Sequence, residues 1–221
     1  MIESILKLGV LASGRGSNFQ SIIDAIDSGK LKAEIALLVT DNPSAFAIER
    51  AKRHGIEYLV LNPKEFDSKD EFFEKIAREL KKRNVALVIL AGFMRIVRKP
   101  LIEAFPFRIM NIHPALLPAF PGSHGQRQAL EYGVRISGCT VHFVDEGIDT
   151  GPIIIQAAVP VLENDTEETL SERILKFEHR IYPEAIRLFS EGRIEIKERK
   201  VKIKDYHSPE AYIVNPPLRK I

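Results

Sequence analysis

The sequence has no tryptophan, and Cys139 is its only cysteine among 221 residues. One thiol cannot form a disulfide within the chain and cannot supply a cysteine-rich zinc site. A lone cysteine could act as a nucleophile, but Cys139 lies within ISGCTVHFV, which has the pattern of a strand. We therefore expect Cys139 to be a small residue of the core.

The sequence also has little net charge and no long apolar run. Its 32 basic and 30 acidic residues leave a net charge of +2, which gives no electrostatic sign of nucleic-acid binding. No run approaches the roughly 20 apolar residues that cross a bilayer. The opening segment MIESILKLGVLAS leads straight into a predicted strand and is too short for a secretory signal. We expect a cytoplasmic protein without nucleic-acid or membrane partners, either a monomer or a homodimer.

What the sequence does contain is an alternation of apolar strands and amphipathic helices. In the first half, apolar runs such as ILKLGVLA and VALVILAG alternate with helical periodicity, which is typical of parallel strands covered by helices on both faces. In the second half, RISGCTVHFV and PIIIQAAVPV are joined by a short glycine-containing loop and predict an antiparallel addition. The predicted fold class is α/β, with a doubly wound, mostly parallel sheet.

The chain shows no internal repeat and no low-complexity linker that would divide it. We expect a single domain over residues 1–192 and a C-terminal tail over residues 193–221. Within the tail, RIEIKERKVKI could form a small hairpin, and the last residues, with Pro209, Pro216 and Pro217, are predicted to be irregular.

The segment SGRGSN follows the first predicted strand and places Gly14 and Gly16 before a helix. Backbone N–H groups at such a turn, together with the helix dipole, can bind a phosphate. The segment matches neither the dinucleotide-binding GxGxxG pattern nor the GxxxxGK[ST] loop. The two glycines could also simply permit a tight turn, so the segment alone leaves phosphate binding open.

A second candidate site is the segment NIHPALLPAFPG at the end of the fifth predicted strand. Asn111 and His113 are two residues apart, so on an extended strand their side chains point to the same face. An amide N–H beside an imidazole can stabilise an oxyanion and move a proton at an acyl carbon. The alternative is structural: Asn111 would cap a turn and His113 would bind a buried carbonyl.

Carboxylates that could pair with this histidine occur in the segment DEGIDTGP, which contains Asp145, Glu146 and Asp149. A carboxylate near His113 would raise its pKa and fix its tautomer. No serine or cysteine stands in a nucleophile-elbow context, so direct attack by a substrate group is favoured. No HExxH or comparable spacing is present either, which favours catalysis without a metal.

Four other histidines are expected to lie outside the chemistry or to support it. His142 alternates within the predicted strand TVHFV and is expected to support the site. His124, among glycines near the start of a helix, could line a pocket. His54 and His207 are expected at the surface.

These segments together resemble the phosphoribosylglycinamide formyltransferases, folate-dependent enzymes of purine biosynthesis. The resemblance extends to about residue 190 and depends on SGRGSNFQSII, LAGFMRIV, NIHPALLPAFPG, QRQAL and VHFVDEGIDTGPIIIQ in that order. It implies a Rossmann-like formyltransferase fold with a phosphate-binding half over about 1–100 and a folate-binding and catalytic half over about 101–192. It also implies transfer of a formyl group from 10-formyltetrahydrofolate, as co-substrate, to the amine of glycinamide ribonucleotide.

The resemblance assigns catalysis to Asn111, His113 and Asp149. Asn111 and protonated His113 would stabilise the oxyanion, and Asp149 would keep His113 charged and help to relay protons through water. The phosphate and ribose of the substrate would bind Gly14, Arg15, Gly16, Ser17, Asn18 and Glu178. The folate would bind Met94, Arg95, Ile96, Val97, Asn111, Val144, Asp145, Glu146, Asp149 and Lys69, with no metal.

The sequence departs from the family pattern near the phosphate site. Leu175 stands where members of the family often carry Lys or Gln, and the neighbouring Lys176 points elsewhere on a helix. Phosphate binding would then depend more on the glycine loop. Lys69 aligns with a position that is Arg in some relatives.

Two alternatives remain at this stage. One is a formyltransferase for another amine acceptor, such as an amino sugar nucleotide or an initiator tRNA, although such relatives usually carry extra domains. The other is a nicotinamide oxidoreductase or a non-catalytic nucleotide-binding protein on the same sheet, which predicts GxGxxG and an acidic residue ~20 residues further on. Asp41, near the second strand, is the candidate acidic residue, and this alternative assigns no role to NIHPALLP or DEGIDTGP.

Overall fold

A computed structural model describes residues 5–206 and residue 215. A seven-stranded sheet has the order β3-β2-β1-β4-β5-β6-β7, and β8 pairs with β9 in a separate two-stranded sheet. The strands are β1 Leu6–Leu11, β2 Ala33–Thr40, β3 Tyr58–Val60, β4 Leu87–Leu90, β5 Ile109–His113, β6 Ile136–Phe143, β7 Ile153–Pro160, β8 Ile194–Lys197 and β9 Lys200–Ile203. The helices are α1 Ser17–Asp27, α2 Ala47–Arg53, α3 Lys69–Lys82, α4 Lys99–Ala104, α5 Gly125–Tyr132 and α6 Glu167–Ser190, with a 3₁₀ turn at Pro63–Glu65.

The sheet confirms the predicted fold class. Strands β1 to β5 pair in parallel, whereas β5 with β6 and β6 with β7 pair antiparallel. Strand β4 is buried along its whole length, as the apolar run LVIL predicts for a central parallel strand. The carboxyl ends of β1, β4 and β5 therefore lie at one edge, where open α/β sheets bind their ligands.

One helix start differs from the sequence-based expectation, and another agrees with it. The sequence predicts Ser17 or Asn18 as the cap of α1, which is wrong: both lie inside the first turn, and Gly16 occupies the N-cap position with φ 65°. For the long helix α6 the sequence predicts Asp165 or Thr166 as the cap, and Thr166 occupies this position, in a capping box with Thr169. Asp165, the other candidate, does not occupy the cap position.

Two short helices differ from the prediction. Helix α4 has only six residues, too few to show a clear helical period in the sequence. The segment PSAFAIERAKRHG predicts a helix from Pro43 to a stop at Gly55, but α2 covers only Ala47–Arg53.

The core lies on both faces of the sheet. Side chains of α1, α2 and α6 pack on one face, and side chains of α3 and α4 pack on the other. The fully buried Tyr182 of α6 places its hydroxyl 3.0 Å from the Leu90 carbonyl oxygen and 2.9 Å from that of Met110. Because Leu90 ends β4 and Met110 precedes the candidate residues of β5, this contact fixes the two strands side by side at the candidate site. Cys139 is fully buried, which confirms its core position.

The hairpin expected in the tail is formed by β8 and β9. Ile194, Ile196 and Val201 pack against the core on the α6 face, so the hairpin packs on the main domain.

The division into residues 1–192 and 193–221 stays a prediction. The three tail prolines and His207 lie outside the described residues, whereas His54 is at the surface as expected. Within the described part, no helix combines the length and apolar character that a membrane crossing needs.

Candidate active site

A cleft of about 820 Å³ lies at the carboxyl ends of β1, β4 and β5. It brings the SGRGSN loop and the loop after β4 together with α6 and with the start of the segment between β5 and α5, residues 114–124, which we call the proline-rich loop. Ile112 and Pro114, the chain neighbours of His113, line it. The remaining lining residues are Gly14, Arg15, Gly16, Ser17, Asn18, Ala91, Gly92, Met94, Gln126, Glu167, Glu168, Ser171, Glu172, Leu175 and Glu178.

Asn111, His113 and Asp149 come together beside this cleft. Asp149 Oδ2 lies 3.3 Å from His113 Nδ1, and Asp149 Oδ1 accepts a hydrogen bond from Asn111 Nδ2 at 3.4 Å. The two residues of β5 therefore face the same side, as their spacing predicts. Asp149 lies 36 residues beyond His113 in the chain, and its loop between β6 and β7 returns it to β5.

His113 makes contacts through both ring nitrogens. Nε2 lies 2.7 Å from the carbonyl oxygen of Phe120, which can only accept, so Nε2 carries a proton. Nδ1 faces a carboxylate, and only the imidazolium form donates to both partners. Burial leaves the pKa of His113 below its ordinary value, although the charge of Asp149 and the Phe120 carbonyl raise it in part. The structural alternative for this histidine, binding a buried carbonyl, is thus also present.

Asp149 is held as a charged group. Burial by itself raises the pKa of Asp149, but contacts with His142, the Gly122 N–H and His113 outweigh it and leave the pKa below its ordinary value. The Gly122 N–H donates to Asp149 Oδ2 at 2.7 Å. The backbone of Asp149 has φ 54°, a left-handed conformation that is uncommon for an aspartate and that the surrounding loop must hold.

His142 orients the amide of Asn111. Its Nδ1 lies 2.8 Å from the Phe143 carbonyl oxygen, and its Nε2 lies 3.2 Å from Asn111 Nδ2 and 3.6 Å from Asp149 Oδ1. His142 pairs with Asn111 in the β5–β6 register and is almost fully buried. This is the supporting position that the sequence predicts for it.

Two residues to which no sequence motif assigned a role fix the proline-rich loop. Thr140 Oγ1 donates to the Ala115 carbonyl at 2.7 Å and accepts from the Leu117 N–H at 3.1 Å. Gln156 Nε2 donates to the Leu117 carbonyl at 2.9 Å. Thr140 lies two residues from His142 on the same strand, and this spacing is the signal that could have identified it.

The predicted phosphate loop is built around Gly16. A Cβ at Gly16 would lie 2.9 Å from the Ala47 Cβ, and the φ of 65° is strained for other residues, so both space and conformation require glycine. Arg50, which sequence analysis missed, donates from Nε to the Arg15 carbonyl at 2.9 Å. Asn18 Nδ2 donates to Glu178 Oε2 at 2.7 Å, which joins this loop to α6.

Glu178 is the most buried of the acidic residues that line the cleft. Burial raises its pKa, and the hydrogen bond from Asn18 only partly opposes this. Asn18 Oδ1 is buried and has no hydrogen-bond partner among the described residues. Leu175 lines the cleft one turn earlier on α6, whereas Lys176 is exposed.

The predicted folate residues after β4 form an exposed apolar rim. Met94 and Ile96 are 78% and 62% exposed, while Val97 is buried. Arg95 Nε donates to Asp41 Oδ2 at 2.6 Å. Asp41 thus forms an ion pair with Arg95. The nicotinamide alternative depends on this acidic residue.

The other predicted folate residues differ in position. Asp145 Oδ1 accepts hydrogen bonds from the Gly147 N–H and from Thr150 Oγ1, so it organises its own loop. Lys69 is exposed at the first position of α3. Val144 is half-buried and Glu146 is exposed, and His124 occupies the N-cap position of α5, where its side chain faces Glu167.

The cluster of amide, imidazole and carboxylate can stabilise an oxyanion and pass a proton. Asn111 and His113 supply N–H groups, and Asp149 supplies a base and a compensating charge. Across the described residues, no group of three or more His, Cys, Asp or Glu side chains could hold a metal ion.

Comparison with known proteins gives one consistent result. The sequence model of the formyl transferase family matches residues 6–186. The chain is 46% identical to the phosphoribosylglycinamide formyltransferase of Bacillus subtilis, over 82% of this chain and 93% of that protein. Its fold matches glycinamide ribonucleotide transformylase 1 from Symbiobacterium toebii with a TM-score of 0.90 and 54% identity, over 91% of this chain and 95% of that one.

A longer relative contains a similar segment. The chain is 47% identical over 206 residues to the trifunctional purine biosynthetic protein adenosine-3 of Drosophila pseudoobscura pseudoobscura. The match covers 90% of this chain but only 15% of that protein.

Proposed function

The chain belongs to the formyl transferase family, and we propose that it transfers the formyl group of 10-formyltetrahydrofolate to the amino group of glycinamide ribonucleotide. The products are N-formylglycinamide ribonucleotide and tetrahydrofolate. The similarity to relatives named for this acceptor, which extends over nine-tenths of their length, supports the assignment. Formyl transfer itself follows from the family.

The observation that carries the proposal is the joint contact of Asp149 with His113 and Asn111. The substrate amine attacks the formyl carbon, a new C–N bond forms, and the carbonyl electrons move onto oxygen. Asn111 and the imidazolium of His113 stabilise this oxyanion by hydrogen bonds. Collapse of the intermediate breaks the bond to the folate nitrogen, which leaves with a proton given up by the amine and relayed by Asp149 and water.

His113 must change partner for this step. Its Nε2 donates to the Phe120 carbonyl at 2.7 Å, so the formyl oxygen would replace that carbonyl as acceptor. Nδ1 would continue to donate to Asp149, which keeps the ring oriented and charged. A charged donor forms the stronger hydrogen bond to a developing oxyanion.

The two substrates would enter from neighbouring parts of the cleft. We assign the phosphate and ribose to the backbone of residues 14–18 and to Glu178, on the side of the phosphate-binding half of the predicted domain. The glycine loop leads directly into the N-terminus of α1, where a phosphate is favoured. We assign the folate to residues 94–97, Asn111, the loop of residues 144–149 and Lys69, and the exposed apolar side chains of Met94 and Ile96 fit a flat aromatic ring.

The test is an assay for tetrahydrofolate release from 10-formyltetrahydrofolate, run with and without glycinamide ribonucleotide. The proposal predicts release that depends on the amine, survives addition of a chelator and is lost in His113→Ala. Lys202→Ala, an exposed hairpin position away from the cleft, serves as the control variant. Release of formate without any amine would point to a hydrolase and contradict the proposal.

The second candidate is a formyltransferase for a different amine acceptor. The folate side of the site and the three catalytic residues would be the same, and only the phosphate subsite would differ. Its basis is Leu175, an apolar residue that lines the cleft at the phosphate side, but the relatives named for glycinamide ribonucleotide make it the less favoured candidate. Turnover with an amino sugar nucleotide but not with glycinamide ribonucleotide would decide in its favour.

A further inference from the structure

The segment of residues 144–152, which we call the Asp149 loop, connects β6 to β7 and holds Asp149 in a left-handed conformation with φ 54°. Two features inside the loop restrict it. Thr150 Oγ1 donates to Asp145 Oδ1 at 2.6 Å, and Gly147 leaves no room for a side chain, because a Cβ there would lie 2.0 Å from Thr150 Oγ1. The side chain of Thr150, next to Asp149, is thus fixed from within the loop.

The backbone of Thr150 is also held from outside the loop. Arg199 Nη2 donates to the Thr150 carbonyl at 2.8 Å, across 49 residues of sequence. This carbonyl belongs to the residue directly after Asp149, so the contact restricts the position from which the Asp149 side chain reaches His113. Gly151 follows and packs against β6, where a Cβ would lie 1.8 Å from the Phe143 carbonyl oxygen.

The hairpin restricts the position of Arg199. It occupies the two-residue turn of the β8–β9 hairpin, after Glu198 with φ 54°. Arg193 closes the other end of the hairpin by donating from Nε and Nη2 to the Lys204 carbonyl at 3.0 and 2.7 Å. Because Ile196 and Val201 pack against the core, the turn cannot move freely away from the Asp149 loop.

We propose that Arg199 is a positioning residue for formyl transfer, which holds Asp149 against His113 through the Thr150 carbonyl. This inference rests on the proposed function. Arg199 does not contact the reacting atoms itself, and it lies beyond residue 186, where the match to the family model ends. Through Arg199 alone, the turn of the C-terminal hairpin therefore supports the Asp149 loop, although its sequence carries no recognisable site motif.

The test compares the wild type with Arg199→Ala, Arg199→Lys and Lys202→Ala in the full chain. Lys202 is an exposed cation of the same hairpin and controls for the loss of positive charge. Loss of one hydrogen bond to a backbone carbonyl predicts that Arg199→Ala raises amide hydrogen exchange over residues 144–152 by about 3- to 10-fold. The same variant should lower kcat by a similar factor, with the KM for the amine unchanged.

Further results separate positioning from general destabilisation. Arg199→Lys keeps a donor at the turn and should recover part of both losses, whereas Lys202→Ala should match the wild type. Equal losses in Lys202→Ala, or faster exchange without any fall in kcat, would overturn the proposal, as would an Arg199→Ala variant identical to the wild type. A wild type without transfer activity would refute the proposed function instead, and the exchange comparison would still decide whether Arg199 holds the loop.

Discussion

Asp149 presents one carboxylate oxygen to each of two residues on β5: Oδ2 lies 3.3 Å from His113 Nδ1, and Oδ1 lies 3.4 Å from Asn111 Nδ2. One buried charge therefore orients both proposed oxyanion donors. Asp149 also receives the Gly122 N–H, so the same carboxylate joins β5, the proline-rich loop and the loop between β6 and β7.

Replacing this carboxylate by an amide tests the coupling to His113. The charge of Asp149 raises the pKa of His113 against the lowering effect of burial, so Asp149→Asn should lower that pKa further. We expect kcat to fall by roughly 100-fold or more, as for loss of an acid–base group. An NMR titration of the His113 ring together with steady-state kinetics measures both effects. A higher His113 pKa in the variant would contradict the assignment.

His142 is predicted to act through Asn111. Asn111→Ala should lower kcat by about 100- to 1,000-fold, as for loss of one oxyanion donor, and His142→Ala should cause a smaller loss. Because the main contact of His142 is with the Asn111 amide, and its Nε2 lies farther from Asp149 Oδ1, at 3.6 Å, the double variant should be only slightly slower than Asn111→Ala alone. Kinetics of the two single variants and the double variant form the test. Losses that multiply would show that His142 has an independent role.

The two glycines of the phosphate loop differ in their tolerance of a side chain. Gly16→Ala should lower the free energy of unfolding by about 1–3 kcal/mol, because alanine is strained at φ 65° and would press against Ala47. Gly14→Ala is the matched control: a Cβ there meets nothing within 4 Å, so its effect should stay within about 0.5 kcal/mol. Denaturant unfolding of both variants measures the difference, and equal destabilisation would contradict this view of the loop.

Glu178 is predicted to reduce stability at neutral pH. Burial raises its pKa above 4.5, so the folded state binds the proton more tightly than the unfolded chain does. Ionisation of buried Glu178 therefore lowers the free energy of unfolding. This loss is absent at low pH and begins as the pH rises above the unfolded pKa near 4.5. It reaches its full size above the raised pKa of the folded state. Glu178→Gln never ionises and keeps an acceptor for Asn18.

The expected result is a higher Tm for Glu178→Gln than for the wild type at pH 8, and no advantage at pH 4. The same variant should have a higher KM for glycinamide ribonucleotide, since Glu178 is assigned to the ribose. Thermal unfolding across this pH range is the measurement. A Tm gain that is as large at pH 4 as at pH 8 would show that ionisation of Glu178 is not its cause.

Regular elements and nearby site residues could be predicted from the sequence because their patterns are local. Apolar runs indicated the parallel strands, and the spacing of Asn111 and His113 placed both on one face of β5. The similarity to known relatives also confirms the family resemblance first recognised from the motifs. Helix α4, by contrast, is too short to produce a clear period.

Contacts between distant segments could not be predicted. The carbonyl of Phe120 binds His113 only because the proline-rich loop folds back, and Arg50 reaches the Arg15 carbonyl from another helix. The pairs Asp41–Arg95 and Thr150–Arg199 likewise depend on loop geometry across 54 and 49 residues. Local propensity also failed at α1, where a left-handed glycine took the capping position and left Asn18 free to reach Glu178.

The central claim is that Asn111, His113 and Asp149 direct a formyl group from folate to an amine. The most direct measurement uses 10-formyltetrahydrofolate carrying ¹³C in the formyl group and follows the label by NMR in the presence of glycinamide ribonucleotide. The account predicts that the wild type places the label in a new amide on the ribonucleotide, and that Asp149→Asn and His113→Ala form this product at least about 100-fold more slowly. Label appearing mainly as free formate, or an amide formed equally fast without His113, would contradict it.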